Sequence, residues 1–248
     1  MAGVRSGISG QINNNIVTDG LVFYMDPAYK ISTTPSNSTD KSLNIINTAQ
    51  SASYESSGMY DSSTITPSLA FDGSGGIYID YFKTQTGVNQ YTWNLWVKSP
   101  PSVSAYDMIM STDYSYLYIS FYNTYFTFDS NLTGVDRFVT YDYNTWYNVT
   151  VCVDGVANTT KCYINASEEH SDVAADTLDG HRLWLGRWYD GQGDLTNGNM
   201  GPVQIYNRTL SAGEVLQNYQ AQKERFGLWS QIPIKIQMVI LCSQNHII

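Results

Sequence analysis

The stretch "VQIYNRTLSAGEVLQNYQAQKERFG", Val203–Gly227, changes its periodicity halfway along. Val203 and Ile205 alternate with Gln204 and Tyr206, as successive residues of a strand do. Past Asn207 the spacing becomes helical. Ser211 stands three residues ahead of Glu214, the spacing of a capping box, and the apolar positions Val215, Leu216 and Tyr219 follow. Gly227 supplies the stop. A strand that delivers the chain to one short amphipathic helix predicts an element lying across the edge or end of a sheet structure.

Upstream of that stretch the chain reads almost entirely as strands and turns. "GLVFYMDP" (Gly20–Pro27) is the first strand, and residues 30–66, rich in Ser, Thr and Asn, read as long loops with one short strand. "SLAFDGSGGIYIDYF" reads as two strands about a Gly-rich turn at Gly73–Gly76. In "QYTWNLWVKSPP", Tyr91, Trp93, Leu95 and Val97 share one face, while Thr92, Asn94, Trp96 and Lys98 share the other. Further strands fall in "YDMIMST", "SYLYISFY", "YFTFDS", "DRFVTYD", "HRLWLGRWY" and "MGPVQIYN". "TWYNVTVCVDGVANTTKCYIN" reads as a hairpin in which Cys152 and Cys162, equidistant from Ala157, lie opposite each other. Many short strands at turn-bounded spacing mean a sandwich or a barrel.

Composition narrows the function. Thirteen Lys and Arg stand against 22 acids, and the net charge of −9 with no basic cluster argues against nucleic-acid binding. Three cysteines exclude a disulfide framework. The opening "MAGVRSGISGQINNNIV" has no apolar core of signal-peptide length, so synthesis in a reducing cytoplasm is expected. The most apolar run, Ile232–Cys242, is too short to span a bilayer and contains Lys235, so no membrane insertion is expected.

The segments "FDGSGGIYI", "YTWNLWVKS", "WYNVTVCVDG", "CYIN", "LWLGR" and the closing "GPVQIYNRTLSAGEVLQNYQAQKERFG" occur in an order that resembles the concanavalin A-like, LamG-type jelly-roll lectin and glucanase superfamily. The resemblance covers roughly residues 20–228. It implies an all-β, antiparallel two-sheet jelly-roll sandwich with one short C-terminal helix. Residues 1–19 are then an N-terminal arm, 20–228 the sandwich, and 229–248 a C-terminal extension whose alternation at Ile232, Ile234, Ile236, Met238 and Ile240 reads as a strand for assembly contact. The closing stretch, with "NIVTDGLVFYMDPAYK", more narrowly resembles virion proteins of tailed bacteriophages, especially those of marine cyanobacteria. That resemblance implies a non-enzymatic structural protein of the particle, a head decoration, fibre or tail component. Its partners would be other capsid or tail proteins, further copies of itself, and a host surface glycan. A free-standing carbohydrate-binding lectin module is the alternative, and a glycoside hydrolase of the same fold is the third reading.

Catalysis finds little support in the residues. Glycoside hydrolysis needs two carboxylates across the scissile bond, and Glu55, Glu168, Glu169, Glu214 and Glu224 form no such pattern. "SEEHSD" gathers Glu168, Glu169, His170 and Asp172 in what reads as a turn. Sugar binding needs aromatic platforms and fixed polar groups. The candidates are Trp96 with Asn94 on the outward face of their strand, Tyr116 and Tyr118 in a Tyr-rich run, and Trp188 and Tyr189 before a Gly-rich loop. Packing or a subunit interface is the competing reading of these aromatics. The resemblance also implies a structural calcium. Asp72 in "FDG" matches a family residue, but Gly201 and Pro202 stand where an acidic pair is common. Asp190 and Asp194 of "DGQGD" are the alternative acids, with surface turns as the competing reading.

Overall fold

The computed structural model describes residues 15–29, 41–47, 51–55, 59–79, 90–103, 106–112, 117–130, 136–172, 182–188, 190–191 and 193–229. In chain order the strands begin with β1 (Leu21–Met25), β2 (Lys41–Leu43), β3 (Ser51–Tyr54), β4 (Tyr60–Asp61), β5 (Ser68–Asp72), β6 (Ile77–Ile79), β7 (Gln90–Lys98) and β8 (Tyr106–Thr112). They continue with β9 (Leu117–Tyr122), β10 (Tyr125–Ser130), β11 (Asp136–Thr140), β12 (Trp146–Asp154), β13 (Thr159–Ile164), β14 (Ser167–Asp172), β15 (Leu183–Leu185) and β16 (Thr196–Tyr206). Helix α1 (Ala212–Gln222) runs into a 3-10 turn, Lys223–Phe226.

Two antiparallel sheets of eight strands face each other. The first runs β14-β13-β12-β7-β16-β5-β4 with β1 also on β16, and the second runs β11-β10-β9-β8-β15-β6-β3-β2. This is the expected all-β sandwich with one C-terminal helix. β5 and β6 are the two strands expected about the Gly-rich turn, and that turn carries the chain from one sheet to the other. Between the sheets lies the main core, including Phe23, Trp93, Leu95, Ile119, Phe121, Phe126, Val151 and Ile205. Its residues come from alternate positions of each strand, as the two-residue repeat requires.

β16 organises the first sheet. Its first half pairs with β5 and its second half with β1, so two strands lie end to end along one edge of it. The register against β7 shifts between Met200 and Val203. Pro202, lacking an N–H, falls in that shift, where a ladder bond is already lost.

The closing helix lies flat on the outer face of the first sheet rather than across its edge or end. Ser211 caps α1 through a capping box with Glu214, and Arg208 donates to both Glu214 oxygens at 3.1 and 2.6 Å. That pairing holds the Glu214 carboxyl down to about 2. Gly227 ends the 3-10 turn at φ 75°, a left-handed conformation glycine adopts without strain. The buried face of α1 is more polar than its sequence suggests. It presents Val215, Asn218 and Gln222, while Leu216 is exposed. Both amides are matched: Asn218 accepts from the Val17 N–H at 2.8 Å and donates to the Tyr206 hydroxyl at 3.0 Å. Gln222 accepts from the Trp96 indole at 2.9 Å.

Trp96 is fully buried, with the Phe226 ring stacked on it at 4.1 Å and Tyr219 at 5.8 Å. A side chain at Gly201 would meet the Phe226 ring at 2.9 Å, so the close approach of turn and sheet requires glycine there. Beside this stack, Arg225 donates to both oxygens of the fully buried Asp26 at 2.7 and 2.9 Å. Ile16 and Val17, placed in the arm by composition, are buried with Leu21, Tyr24, Leu210 and Val215 beneath the helix. The remainder of the arm, residues 1–14, and the extension from residue 230 lie outside the described residues. Among the described residues no helix is long and apolar enough to cross a membrane.

The stack predicts a large, specific loss. Phe226→Ala lowers unfolding stability by about 3–5 kcal/mol, the cost of emptying a well-packed aromatic site, read as a fall in the urea midpoint.

Candidate functional site

Because Leu117, Ile119 and Phe121 of β9 point into the core, Tyr118, Ser120 and Tyr122 point out of the sandwich. In β10, Phe126 and Phe128 point in, leaving Tyr125, Thr127 and Asp129 outward. β8 brings Tyr106 opposite Tyr122 and Ser111 opposite Tyr118. The outer face of the second sheet therefore carries a run of aromatic rings. Tyr106 lies 4.5 Å from Tyr122 and 6.4 Å from Tyr118, and Trp188 meets Tyr118 edge-on at 4.7 Å. Trp188 reaches that face because the segment after β15 is tied to β8. The Ser111 hydroxyl donates to the Arg187 carbonyl at 2.8 Å, and the Gly186 N–H donates to the Ile109 carbonyl at 3.0 Å.

The face continues onto β15 and β6, where Trp184 and Tyr78 pair across the strands with ring centres 5.2 Å apart. The Arg182 guanidinium sits 4.5 Å over Tyr78 and 5.4 Å over Trp184. Burial and the neighbouring Asp129 raise the Tyr118 hydroxyl above the usual phenol range, so it stays protonated and able to donate. Apolar rings, half-buried or more, with a carboxylate, a guanidinium and hydroxyls among them form the kind of surface that holds a sugar: rings against C–H faces, polar groups on hydroxyls.

Of the residues predicted for sugar contact, Tyr118 and Trp188 come together here. Trp96 and Asn94 belong to the other sheet and are a correction. Their face does point away from the core, but α1 and its 3-10 turn cover it. There Asn94 is consumed in a buried layer, accepting from Asn148 at 2.9 Å and Thr150 at 2.7 Å and donating to Gln204. Tyr116 and Tyr189 lie outside the described residues. Tyr106, Tyr78, Trp184 and Arg182 were missed, although "IYI" and "LWL" each place one aromatic between two core-facing residues, which is the signal for an outward ring.

The three acids proposed for a metal do not form a site. Asp72 accepts from the Ser74 N–H at 2.9 Å and the Ser74 hydroxyl at 2.6 Å, which holds its carboxyl below the usual range and makes it a turn residue. Asp194 is pushed up by burial, and its Oδ1 lies 3.4 Å from Arg187 Nε. Arg187 also pairs with Glu55. One guanidinium thus offsets part of the charge of two carboxylates, and Asp190 and Asp72 add to the negative field at Asp194. Among the described residues no group of three His, Cys, Asp or Glu side chains is placed to hold a metal ion. The set does not fit a calcium site.

Two other expectations change. "SEEHSD" is not a turn but β14, the edge strand of the first sheet, in which Glu168 pairs with Lys161 at 2.9 Å. The β12–β13 hairpin pairs Asp154 with Thr159, so Cys152 faces Lys161, and Cys162 faces Val151. A one-residue offset turns the two thiols to opposite faces. Both are free and buried, and burial pushes Cys152 up to about 12 and Cys162 well above its ordinary value.

One buried acid stands apart from these clusters. Asp107 begins β8 on the core side, opposite Phe121, and burial pushes it up to about 6 against the opposing effect of the Thr196 N–H.

Residues 71–216 match the family described as the concanavalin A-like lectin/glucanases superfamily. Among curated proteins none matches the chain in sequence. Trypanosoma rangeli sialidase superimposes with a TM-score of 0.65 at 12% identity, covering 85% of this chain and 34% of the sialidase. The same sialidase in complex with sialic acid gives 0.65 at 13% identity over 85% of this chain and 34% of that one. The binding domain of Paraclostridial Mosquitocidal Protein 1 gives 0.57 at 13% identity over 81% of this chain and 52% of that chain. The chain thus spans about a third of the length of the sialidase, and likeness at this identity shows the fold alone. These relatives correct two expectations from the sequence. They are a sialidase and a toxin's binding domain rather than particle proteins, so the virion reading of the closing motif is not upheld. The fold also occurs within a sialidase, so the expectation that the chain is no enzyme is not upheld.

Two outcomes follow from the buried groups. Raising the folded pKa of Asp107 means its destabilising charge is absent below about pH 4, develops as pH rises, and is complete above about pH 6. Asp107→Asn is therefore more stable than the parent at pH 7, by about 1–2 kcal/mol once solvent screening of the partly exposed carboxyl is allowed for, and the gap narrows towards pH 4 in urea titrations. Peptide mapping after iodoacetamide leaves Cys152 and Cys162 unlabelled in the native protein and labels both in denaturant.

Proposed function

Because the chain belongs to the concanavalin A-like lectin/glucanases superfamily, we propose that it is a carbohydrate-binding module that engages glycans on the outer face of its second sheet. The observation that carries this reading is the cluster of Tyr106, Tyr118, Tyr122 and Trp188 on a sheet surface over which no helix lies among the described residues. The opposite sheet has equivalent outward positions, but its aromatic ring is spent on anchoring α1.

A sugar ring lies against the Tyr106–Tyr122 pair and the Trp188 edge. Asp129 accepts from hydroxyls, and Arg182, held over Tyr78 and Trp184, donates to ring or hydroxyl oxygens at the far end. The span from Tyr122 to Tyr78 crosses β9, β8, β15 and β6. At about 4.8 Å between strands, that length suits more than one sugar unit, so an oligosaccharide is the favoured ligand.

On a glycan array the wild-type chain binds a discrete subset of oligosaccharides. Trp188→Ala and Tyr122→Ala each weaken that binding by about 2 kcal/mol, the loss expected for an aromatic anchor, while melting temperatures stay close to the parent's. Absence of binding to any glycan, or binding indifferent to both substitutions, overturns the assignment.

A further inference from the structure

A second concave site lies on the other side of the molecule, where the outer face of the β12–β13 hairpin meets the first turn of α1. It is a cavity of about 250 Å³ whose lining includes Cys152, Asp154, Lys161, Tyr163, Glu168 and Ser211. None of these residues belongs to the aromatic face of the second sheet. We propose that this cavity is an independent binding site for a single neutral sugar ring.

Local pairing leaves polar capacity in the cavity. Tyr163 donates to Glu168 Oε2 at 3.2 Å and Lys161 donates to the same oxygen at 2.9 Å. Both bonds end on one oxygen, which leaves Oε1 with none among the described residues. Asp154 repeats the pattern. Its Oδ1 accepts from the Gln90 amide at 2.9 Å and from the Val156 and Ala157 N–H groups at 3.0 Å each. Its Oδ2 accepts from none of the described residues. Two carboxylates held in place by one oxygen each, with the other unspent, are acceptors for a pair of sugar hydroxyls, and charged acceptors bind them more strongly than neutral ones do. The Lys161 ammonium has donors beyond the one given to Glu168, for a sugar oxygen. The Tyr163 ring lines the cavity with an apolar surface for C–H groups.

Size and charge choose the ligand. The volume falls below the roughly 300–1,000 Å³ of sites for drug-sized molecules, which suits one ring rather than a chain. Two carboxylates face one ammonium, so the cavity is net acidic and disfavours an anionic sugar such as a sialate. Burial of the thiol at Cys152 leaves it protonated and inert, so the cavity binds without a nucleophile. The inference takes from the preceding section only that the ligand is a carbohydrate, and it places a second recognition point on the opposite sheet. A chain with both sites links two glycans.

The test is a two-dimensional NMR titration of the full chain with the methyl glycosides of glucose, mannose and galactose, and with the methyl glycoside of N-acetylneuraminic acid. At least one neutral glycoside shifts the amides of Lys161, Tyr163, Glu168 and Ser211, and the sialoside does not. Glu168→Gln and Lys161→Met, both at partly exposed positions, keep the melting temperature and weaken binding about tenfold or more, as loss of a charge-assisted hydrogen bond requires. Trp188→Ala leaves these shifts unchanged, which separates this site from the aromatic face. No shift with any neutral glycoside, shifts that persist in both variants, or equal binding of the sialoside overturns the proposal.

Discussion

The stacking of Phe226 on Trp96 decides which surfaces of this sandwich are available. An antiparallel sheet can leave one face in water, and the outward residues of β7, Thr92, Asn94 and Trp96, belong to such a face by pattern. The 3-10 turn after α1 instead brings an aromatic ring to 4.1 Å from the indole, over the missing side chain of Gly201. Such a contact contributes about 0.5–1.5 kcal/mol beyond the area it buries. With the stack in place the helix covers this stretch of the sheet, and Thr92, Asn94 and Trp96 are buried beneath it.

That burial explains the polar layer under the helix. Asn94, Asn148, Thr150 and Gln204 have side chains suited to a wetted sheet surface, yet all four are buried. They hydrogen-bond to each other, with only the Gln204 amide nitrogen of this layer lacking a partner among the described residues, and Asn218 and Gln222 of the helix are matched to Tyr206, Val17 and Trp96. Left unmatched, each buried polar group would cost about 1–3 kcal/mol. Matched, they specify a single seat for α1, because an apolar stripe alone would tolerate a rotation that these bonds do not. The second sheet has no helix over it among its described residues, and its outward rings range from the nearly buried Tyr118 and Trp184 to the exposed Tyr125. The helix covers much of the outer face of the first sheet, and no helix among the described residues covers that of the second.

Much of the fold was legible because period-two alternation survives burial. The strands from β7 to β16 other than β14, and the capping box at Ser211, follow from the residue pattern, and so does the left-handed stop at Gly227. The error at Trp96 has a plain cause: alternation tells which residues share a face, not what covers it. Trp96 was correctly placed on the outward face and then wrongly left open to a ligand, since nothing local announces that Phe226, 130 positions later in the sequence, will sit on it. Connections between sheets were equally silent. "DGSGG" after β5 has the composition of a turn, which does not tell that it leads to the opposite sheet. The aromatic face was half visible, through Tyr118 and Trp188, because bringing Trp184 beside Tyr78 needs strand order as well as alternation.

The hairpin of β12 and β13 shows how small a geometric difference carries functional weight. Had Cys152 and Cys162 been paired across the strands, both would face one side, and the loop would hold an odd number of residues. The actual loop, closed by Asp154 and Thr159, holds four, Gly155–Asn158. Asp154 accounts for that length by accepting the Val156 and Ala157 N–H groups, a side-chain substitute for a turn bond. The resulting register sends Cys162 into the core and puts Cys152 and Tyr163 under the start of α1. It also leaves Lys161 beside Asp154 on the same wall of the cavity, where Glu168 of β14 meets it. The Asp154 turn therefore does two things at once. It fixes the offset that keeps the thiols apart, and it sets Asp154 and Lys161 together in the lining of the cavity.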